Sequence, residues 1–203
     1  GSVWTLSRFQ NVEHDKKIFK DVAIAGDGEP STSPHLLETM SYLQKIAKNY
    51  PLPEIVWISN ATGLNKRKTK QALSILEQLK GTIWAKLDAG TQEYFKLISA
   101  SNYNIDRIQS MIEQLPAGVK LKIQTCFMKV EGSPPSPNEI DLYISRLMSI
   151  NQNRNIAEVQ IYTIARKPAQ NYVSPLKLTE MQNILAPIKE TNLPVKFYSG
   201  AAD

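Results

Sequence analysis

The chain has 203 residues, 24 basic and 19 acidic side chains, a formal net charge of +5, 42% hydrophobic residues and one cysteine. That length is one large domain or two small ones, with ample material for a core, and the composition is that of an ordinary globular protein. A single cysteine excludes an internal disulfide framework and points to a reducing, cytoplasmic setting. No stretch approaches bilayer-spanning length, and the basic excess is compatible with anionic ligands without requiring them.

Gly1-Ser2 reads as an expression scar. Residues 1–20, with Phe9, Ile18 and Phe19, read as an N-terminal arm or the tail of a preceding helix, and residues 21–203 as the folded domain. Val22–Gly26 is an apolar strand running into Gly26-Asp27-Gly28-Glu29-Pro30. The glycines leave backbone amides open to a ligand, while Pro30 fixes its own φ and pushes Glu29 towards an extended conformation. A carboxylate held over such a ledge suits an ammonium group; a tight turn with a solvated glutamate is the competing reading. Ser33 caps a helix with Pro34 in its first position and Leu36, Leu37, Met40, Leu43 and Ala47 on one face.

Ile55–Ser59 is the second strand, followed by a helix that Asn65 opens and Gly81 closes, carrying Ala72, Leu73, Leu76 and Leu79. Ile83–Leu87 is the third strand; a short helix after Thr91 and a longer one with Ile105, Ile108 and Ile112 follow. Val119–Phe127 is the longest strand. Ser136-Pro137-Asn138-Glu139 has the form of a capping box with proline at the first helical position, introducing Ile140–Ile150. Val159–Ile164 is a strand, Leu178–Ile188 a helix with Pro187 near its end, and Val195–Tyr198 a last short strand. Six strands, each but the last followed by a helix, argue for parallel βαβ units with right-handed crossovers.

Side chains alternate across a strand, and here the two sets differ in kind. Ile83, Ala85 and Leu87 oppose Trp84, Lys86 and Asp88; Val119, Leu121, Ile123 and Phe127 oppose Lys120, Lys122, Gln124 and Cys126; Val159 and Ile161 oppose Gln160, Tyr162 and, further on, Arg166. Helices cover the apolar set. The interior of a closed eight-stranded barrel is apolar, and unpaired polar groups there cost several kcal/mol each. An open or incomplete barrel with a hydrated concave cleft accommodates the polar set; a flat sheet with one solvated face is the alternative.

With Gly26-Asp27-Gly28-Glu29-Pro30 after the first strand, Ile58-Ser59-Asn60-Ala61-Thr62-Gly63 after the second and Lys86-Leu87-Asp88-Ala89-Gly90-Thr91 after the third, residues 21 to 200 resemble the radical S-adenosylmethionine (radical SAM) superfamily. Ile123-Gln124-Thr125 and Val159-Gln160-Ile161-Tyr162-Thr163-Ile164-Ala165-Arg166 extend the match. The resemblance implies a partial (β/α) TIM-like barrel with its first β/α unit missing. It implies that Glu29 and the adjoining backbone of Gly26, Asp27, Gly28 and Pro30 hold the methionyl ammonium of S-adenosylmethionine. Asn60, Lys86, Asp88 and Gln124 would lie near its ribose, carboxylate or substrate, and Tyr162 and Arg166 near adenine or substrate. One departure matters: the Cys-x-x-x-Cys-x-x-Cys motif of the family is absent. Cys126 alone cannot ligate the [4Fe–4S] cluster and reads as a small packed thiol.

The expectation is therefore a fragment of a radical SAM oxidoreductase-like enzyme, inactive by itself, whose intact parent carries the cluster, cleaves S-adenosylmethionine reductively and starts radical chemistry on an unknown substrate. The alternative is a non-catalytic nucleotide- or RNA-binding α/β module. Asn65-Lys66-Arg67-Lys68-Thr69-Lys70 puts four positive charges at a helix start, and is weighed as a phosphate or RNA contact against a solvated turn. His14 and His35 lack partners at metal-ligand spacing. No catalytic triad or Gly-Lys-Ser phosphate loop is present. An exposed barrel edge beside Val22–Gly26 offers a route to self-association.

Overall fold

A computed structural model describes residues 3–25 and 28–198. Gly26 and Asp27, both expected at the site, lie outside the described residues. The strands are β1 (Asp21–Ile24), β2 (Glu54–Ser59), β3 (Thr82–Lys86), β4 (Lys120–Phe127), β5 (Lys129–Val130), β6 (Ile156–Thr163), β7 (Val173–Ser174) and β8 (Val195–Tyr198). The helices are α1 (Leu36–Ala47), α2 (Arg67–Gln78), α3 (Gln92–Ser99), α4 (Ile105–Glu113), α5 (Pro137–Asn153) and α6 (Leu178–Lys189). Three short 3-10 turns precede β1, and Trp4 in the first packs on Phe9 in the second and on Phe19 just before the strand.

Six strands make one sheet in the order β1-β2-β3-β4-β6-β8, every neighbouring pair parallel. The order is linear, so the barrel does not close: β1 and β8 are its two edges. One parity of each central strand is buried with the helices in a single apolar cluster, including Ile83, Ala85, Leu121, Ile123, Phe127, Val159 and Ile161 from the sheet and Leu73, Leu76, Ile108, Ile112, Leu147 and Ile184 from the helices. Burying each such side chain is worth roughly 1.5–3 kcal/mol, which fixes which face turns away from the helices. The other parity is the polar one expected from the sequence.

Several local features depart from the sequence expectation. Ser33 does not cap α1 directly: its Oγ accepts the His35 N–H at 3.3 Å, and α1 begins one residue later at Leu36. α2 starts at Arg67 after Lys66, two residues beyond Asn65. At its end Lys80, not Gly81, takes the left-handed conformation (φ 52°). Gly81 is instead required by close packing, because a Cβ there would run into Leu76 and the Ile55 carbonyl. The capping box of α5 is only half formed. Ser136 Oγ accepts the Glu139 N–H at 3.2 Å, but the Glu139 carboxylate reaches Gly90 and Thr91 instead of the cap backbone.

A second, two-stranded antiparallel ribbon pairs β5 with β7 and ties the segment after β4 to the segment after β6. Its strands of two residues carry no periodic signal. Tyr94 Oη bonds the Met128 carbonyl at 3.2 Å, and Lys129 pairs with Glu180 at 3.3 Å, so α3 and α6 both brace it.

Candidate functional site

Parallel strands bring their C-terminal ends to one rim, and the loops there are built outward from the sheet. At the β1 end, Glu29 is extended (φ −73°, ψ 120°), as the following proline requires, and opens a 3-10 turn over Pro30–Thr32. Its carboxylate does not stand free over the ledge, as the sequence suggested. Oε1 accepts the Ser59 hydroxyl at 2.7 Å and the Ser31 N–H at 3.2 Å, while Oε2 accepts the Asn60 N–H at 2.7 Å. Glu29 thereby pins the loop after β1 to the end of β2. A carboxylate offers about four acceptor positions, and these three donors leave one on Oε2. Gly28, Glu29 and Pro30 also line a cavity of about 290 Å³. The Asn60 side-chain oxygen is turned to Thr62, accepting its N–H at 3.0 Å and its hydroxyl at 2.7 Å, so its amide N–H₂ remains available.

In the middle of the sheet, register places the polar side chains in rows. Lys86, Gln124, Gln160 and Lys196 are neighbours across β3, β4, β6 and β8, and Trp84, Lys122 and Glu158 form the row below. Lys86 Nζ donates to Tyr162 Oη at 3.0 Å and lies 3.4 Å from Asp88. Gln124 Nε2 reaches Gln160 Oε1 at 3.4 Å, and Gln160 donates in turn to Glu158 at 2.7 Å. Glu158 is flanked by Lys122 at 3.4 Å and Lys196 at 2.6 Å, while Lys122 lies 5.5 Å over the Trp84 ring. Asp88 has a structural bond as well, accepting the Cys126 N–H at 2.8 Å at the point where β3 has ended.

These partners set the protonation states. Burial alone would lower the Lys86 pKa, but Asp88 and Tyr162 outweigh it and hold the ammonium above its ordinary value. Burial raises the Tyr162 phenol despite Lys86, and pushes the Cys126 thiol up to about 11, with Asp88 adding to the effect and Lys86 offsetting part of it. For Glu158 burial is again the largest influence and opposes ionisation, yet the hydrogen bonds from Lys196 and Gln160 and the Lys122 charge carry it below the usual carboxylate range. At neutral pH the rim thus presents a fixed cation, a neutral phenol and a neutral thiol. Such groups position a ligand; none is poised to exchange a proton.

Of the expected residues, the structure joins Lys86, Asp88 and Tyr162 in one cluster, with Gln124 beside Lys86 in the same row, and Gly28, Glu29, Pro30 and Asn60 at the β1–β2 rim. Arg166 is not joined to either: it is exposed in the loop after β6, with no polar partner among the described residues. Ser59, Glu158 and Lys196 take part without having been singled out. Glu158 shares parity with Gln160, and became readable only once β6 was seen to begin at Ile156.

The donor set fits the amino-acid end of S-adenosylmethionine: an open carboxylate position for an ammonium, and an ammonium and an amide for a carboxylate. It does not fit an iron–sulfur cluster. Cys126 is the only thiol in the sequence, its deprotonation is opposed by burial, and no group of three metal-ligating side chains occurs among the described residues.

No protein-family model matches the chain, and no curated protein matches its sequence. Solved structures do match. A domain of pyruvate-formate lyase-activating enzyme from Bacteroides vulgatus ATCC 8482 aligns with a TM-score of 0.63 and 13% identity, over 87% of this chain and 98% of that one. SuiB from Streptococcus suis, bound to S-adenosylmethionine, aligns at 0.62 and 16% identity over 90% of this chain and 40% of its own. A radical SAM methyltransferase from Sphaerobacter thermophilus aligns at 0.62 and 10% identity, over 90% of this chain and 52% of its own. This chain has the radical SAM fold. It spans well under two thirds of the length of SuiB and of the methyltransferase. The expected partial barrel is therefore present, with six parallel strands and an open edge on either side. In the radical SAM fold of this chain, the Glu29 rim and the Lys86 cluster occupy the C-terminal strand ends, where such folds place their ligands.

Proposed function

We propose that residues 21–203 form the S-adenosylmethionine-binding cleft of a radical SAM enzyme, with residues 1–20 as an arm outside it. The carrying observation is Glu29: a half-buried carboxylate fixed at the rim by Ser59, Asn60 and Ser31, with an acceptor position left over. In this reading Glu29 holds the methionyl ammonium, with Gly26, Asp27, Gly28 and Pro30 around it. Asn60 and Lys86 meet the carboxylate, and Gln124 and Tyr162 face ribose, adenine or substrate. Asp88 acts by holding Lys86 in place. Arg166 reaches the ligand from its loop. SuiB has been solved with S-adenosylmethionine and with its precursor peptide SuiA, which supports a cofactor and a separate substrate here.

When bound beside a reducing iron–sulfur centre, S-adenosylmethionine supplies a carbon-centred radical. No thiolate set for that centre exists in this sequence, so in this reading the cluster would need cysteines from outside it, and the work of these residues is binding and orientation.

Calorimetry with S-adenosylmethionine is the direct test. Saturable one-to-one binding is expected, weakened at least about tenfold by Glu29→Gln through loss of a charged hydrogen bond. Binding of RNA oligomers in place of S-adenosylmethionine would instead favour a nucleic-acid module. Anaerobic reconstitution of the chain with iron and sulfide is expected to yield no cluster; recovery of about four irons per chain would overturn that part of the reading.

A further inference from the structure

We propose that the notch between the Pro30–Thr32 turn and the start of α2 binds the phosphate monoester group of a small substrate. α2 begins without a side-chain cap and without an acidic residue in its first turn. The Arg67, Lys68 and Thr69 N–H groups therefore have no intrahelical acceptor, and no side chain among the described residues replaces one. Lys66, Arg67, Lys68 and Lys70 add four cations to the positive end of the helix dipole, where cations are disfavoured. None of the four joins an ion pair among the described residues. In isolation this helix start is electrostatically strained, and an anion is what would relieve it.

An independent observation sits opposite. Ser31 is 6% exposed, and its Oγ is buried with no hydrogen-bond partner among the described residues. It lines the same cavity of about 340 Å³ as Lys66, Arg67, Lys68 and Thr69. A buried hydroxyl without a partner is uncommon enough to need a reason, and a ligand oxygen supplies one. Gly63 makes room for that hydroxyl, since a Cβ there would collide with Ser31 Oγ. Ser31, the uncapped helix start and flexible ammonium and guanidinium side chains thus line one small space. Donors converging on a point suit a compact dianion. The cavity has no aromatic lining residue among the described residues, whereas single-stranded nucleic acid is held along a track of stacking rings.

The site adjoins the cleft: Ser31 also donates its N–H to Glu29, so a phosphate held here places the rest of its molecule beside the Glu29 rim. The phosphate proposal nevertheless stands without the cofactor reading, and its test requires neither cofactor nor turnover. The isotopically labelled chain is titrated at constant ionic strength with inorganic phosphate, with ribose 5-phosphate and with a short single-stranded RNA, following the Arg67, Lys68 and Thr69 amide resonances. Saturable shifts at these amides are expected with phosphate and the monoester at millimolar concentration. Ser31→Ala, which keeps the N–H to Glu29, should weaken binding about tenfold. The variant combining Lys66→Ala, Arg67→Ala and Lys68→Ala, all exposed positions, should abolish saturation without lowering the thermal midpoint, since it removes charges that the helix dipole disfavours. Absence of saturable shifts, shifts indifferent to the triple variant, or RNA binding that the monoester does not displace would overturn the proposal. None of those results would touch the Glu29 reading.

Discussion

Glu29 and Glu139 do similar work in opposite surroundings. Each carboxylate accepts backbone N–H groups from a loop at a strand end: Glu139 holds Gly90 and Thr91 after β3, and Glu29 holds Ser31 and Asn60 after β1 and β2. Glu139 is 3% exposed in the first turn of α5, and Arg146 completes the clamp by donating to the Gly90 carbonyl at 2.6 Å. Glu29 is half-buried at the edge of the sheet beside an open cavity. The same chemistry therefore acts as a rivet in one place and as a rivet with a free side in the other. A carboxylate whose remaining acceptor positions are buried stabilises; one with an acceptor position beside an open cavity is also accessible to a ligand.

The sharpest way to break the contrast is at the buried loop. Gly90→Ala would drive a Cβ into the Glu139 carbonyl and the Tyr143 backbone nitrogen, neither of which can move without α5. A loss of roughly 3 kcal/mol or more is expected, read as a fall of about 6–12 °C in thermal midpoint. Glu139→Gln should cost about 2 kcal/mol, since one of the amide groups it offers to Gly90 and Thr91 is a donor facing a donor. Glu29→Gln should cost under about 1 kcal/mol, the same mismatch being relieved by water, while producing the larger loss in S-adenosylmethionine affinity. Equal destabilisation by both substitutions would erase the distinction.

Smaller effects test the central cluster. A double-mutant cycle with Lys86→Met and Tyr162→Phe should give a coupling of about 1 kcal/mol in urea unfolding; additivity would show that the contact contributes nothing. Cys126 should alkylate slowly at neutral pH, its rate climbing until the pH reaches about 11. Because its folded pKa lies above the unfolded value near about 8.5, the associated stability is complete below that value and is lost as pH rises through the folded one. Glu158 has the opposite sign. Its contribution is complete above the unfolded value of about 4.3 and fades as pH falls through its lower folded value, a dependence that Glu158→Gln should remove from acid unfolding curves.

The alternation of strands and helices was legible because each strand carries its own two-residue period. The polar face was legible for the same reason: Lys86, Gln124 and Tyr162 could be assigned to it from parity alone. What escaped depends on partners distant in sequence. Glu139 looks like half of a capping box until Gly90, 49 residues away, competes for its carboxylate. Glu29 looks free until Ser59 arrives from the neighbouring strand. Arg166 shares the parity of Tyr162 in an extended reading, but β6 stops at Thr163 and the alternation stops with it. The β5–β7 ribbon is held by tertiary pairing and had no local pattern to read.

That ribbon makes the rim asymmetric in its mechanics. The segments following β4 and β6 are stitched together and braced by Tyr94 and Glu180, so a protease nicking one would leave it tethered to the other. The turn carrying Glu29 is held to the end of β2 by hydrogen bonds of one side chain and has no paired strand among the described residues, and limited digestion should open the molecule there first.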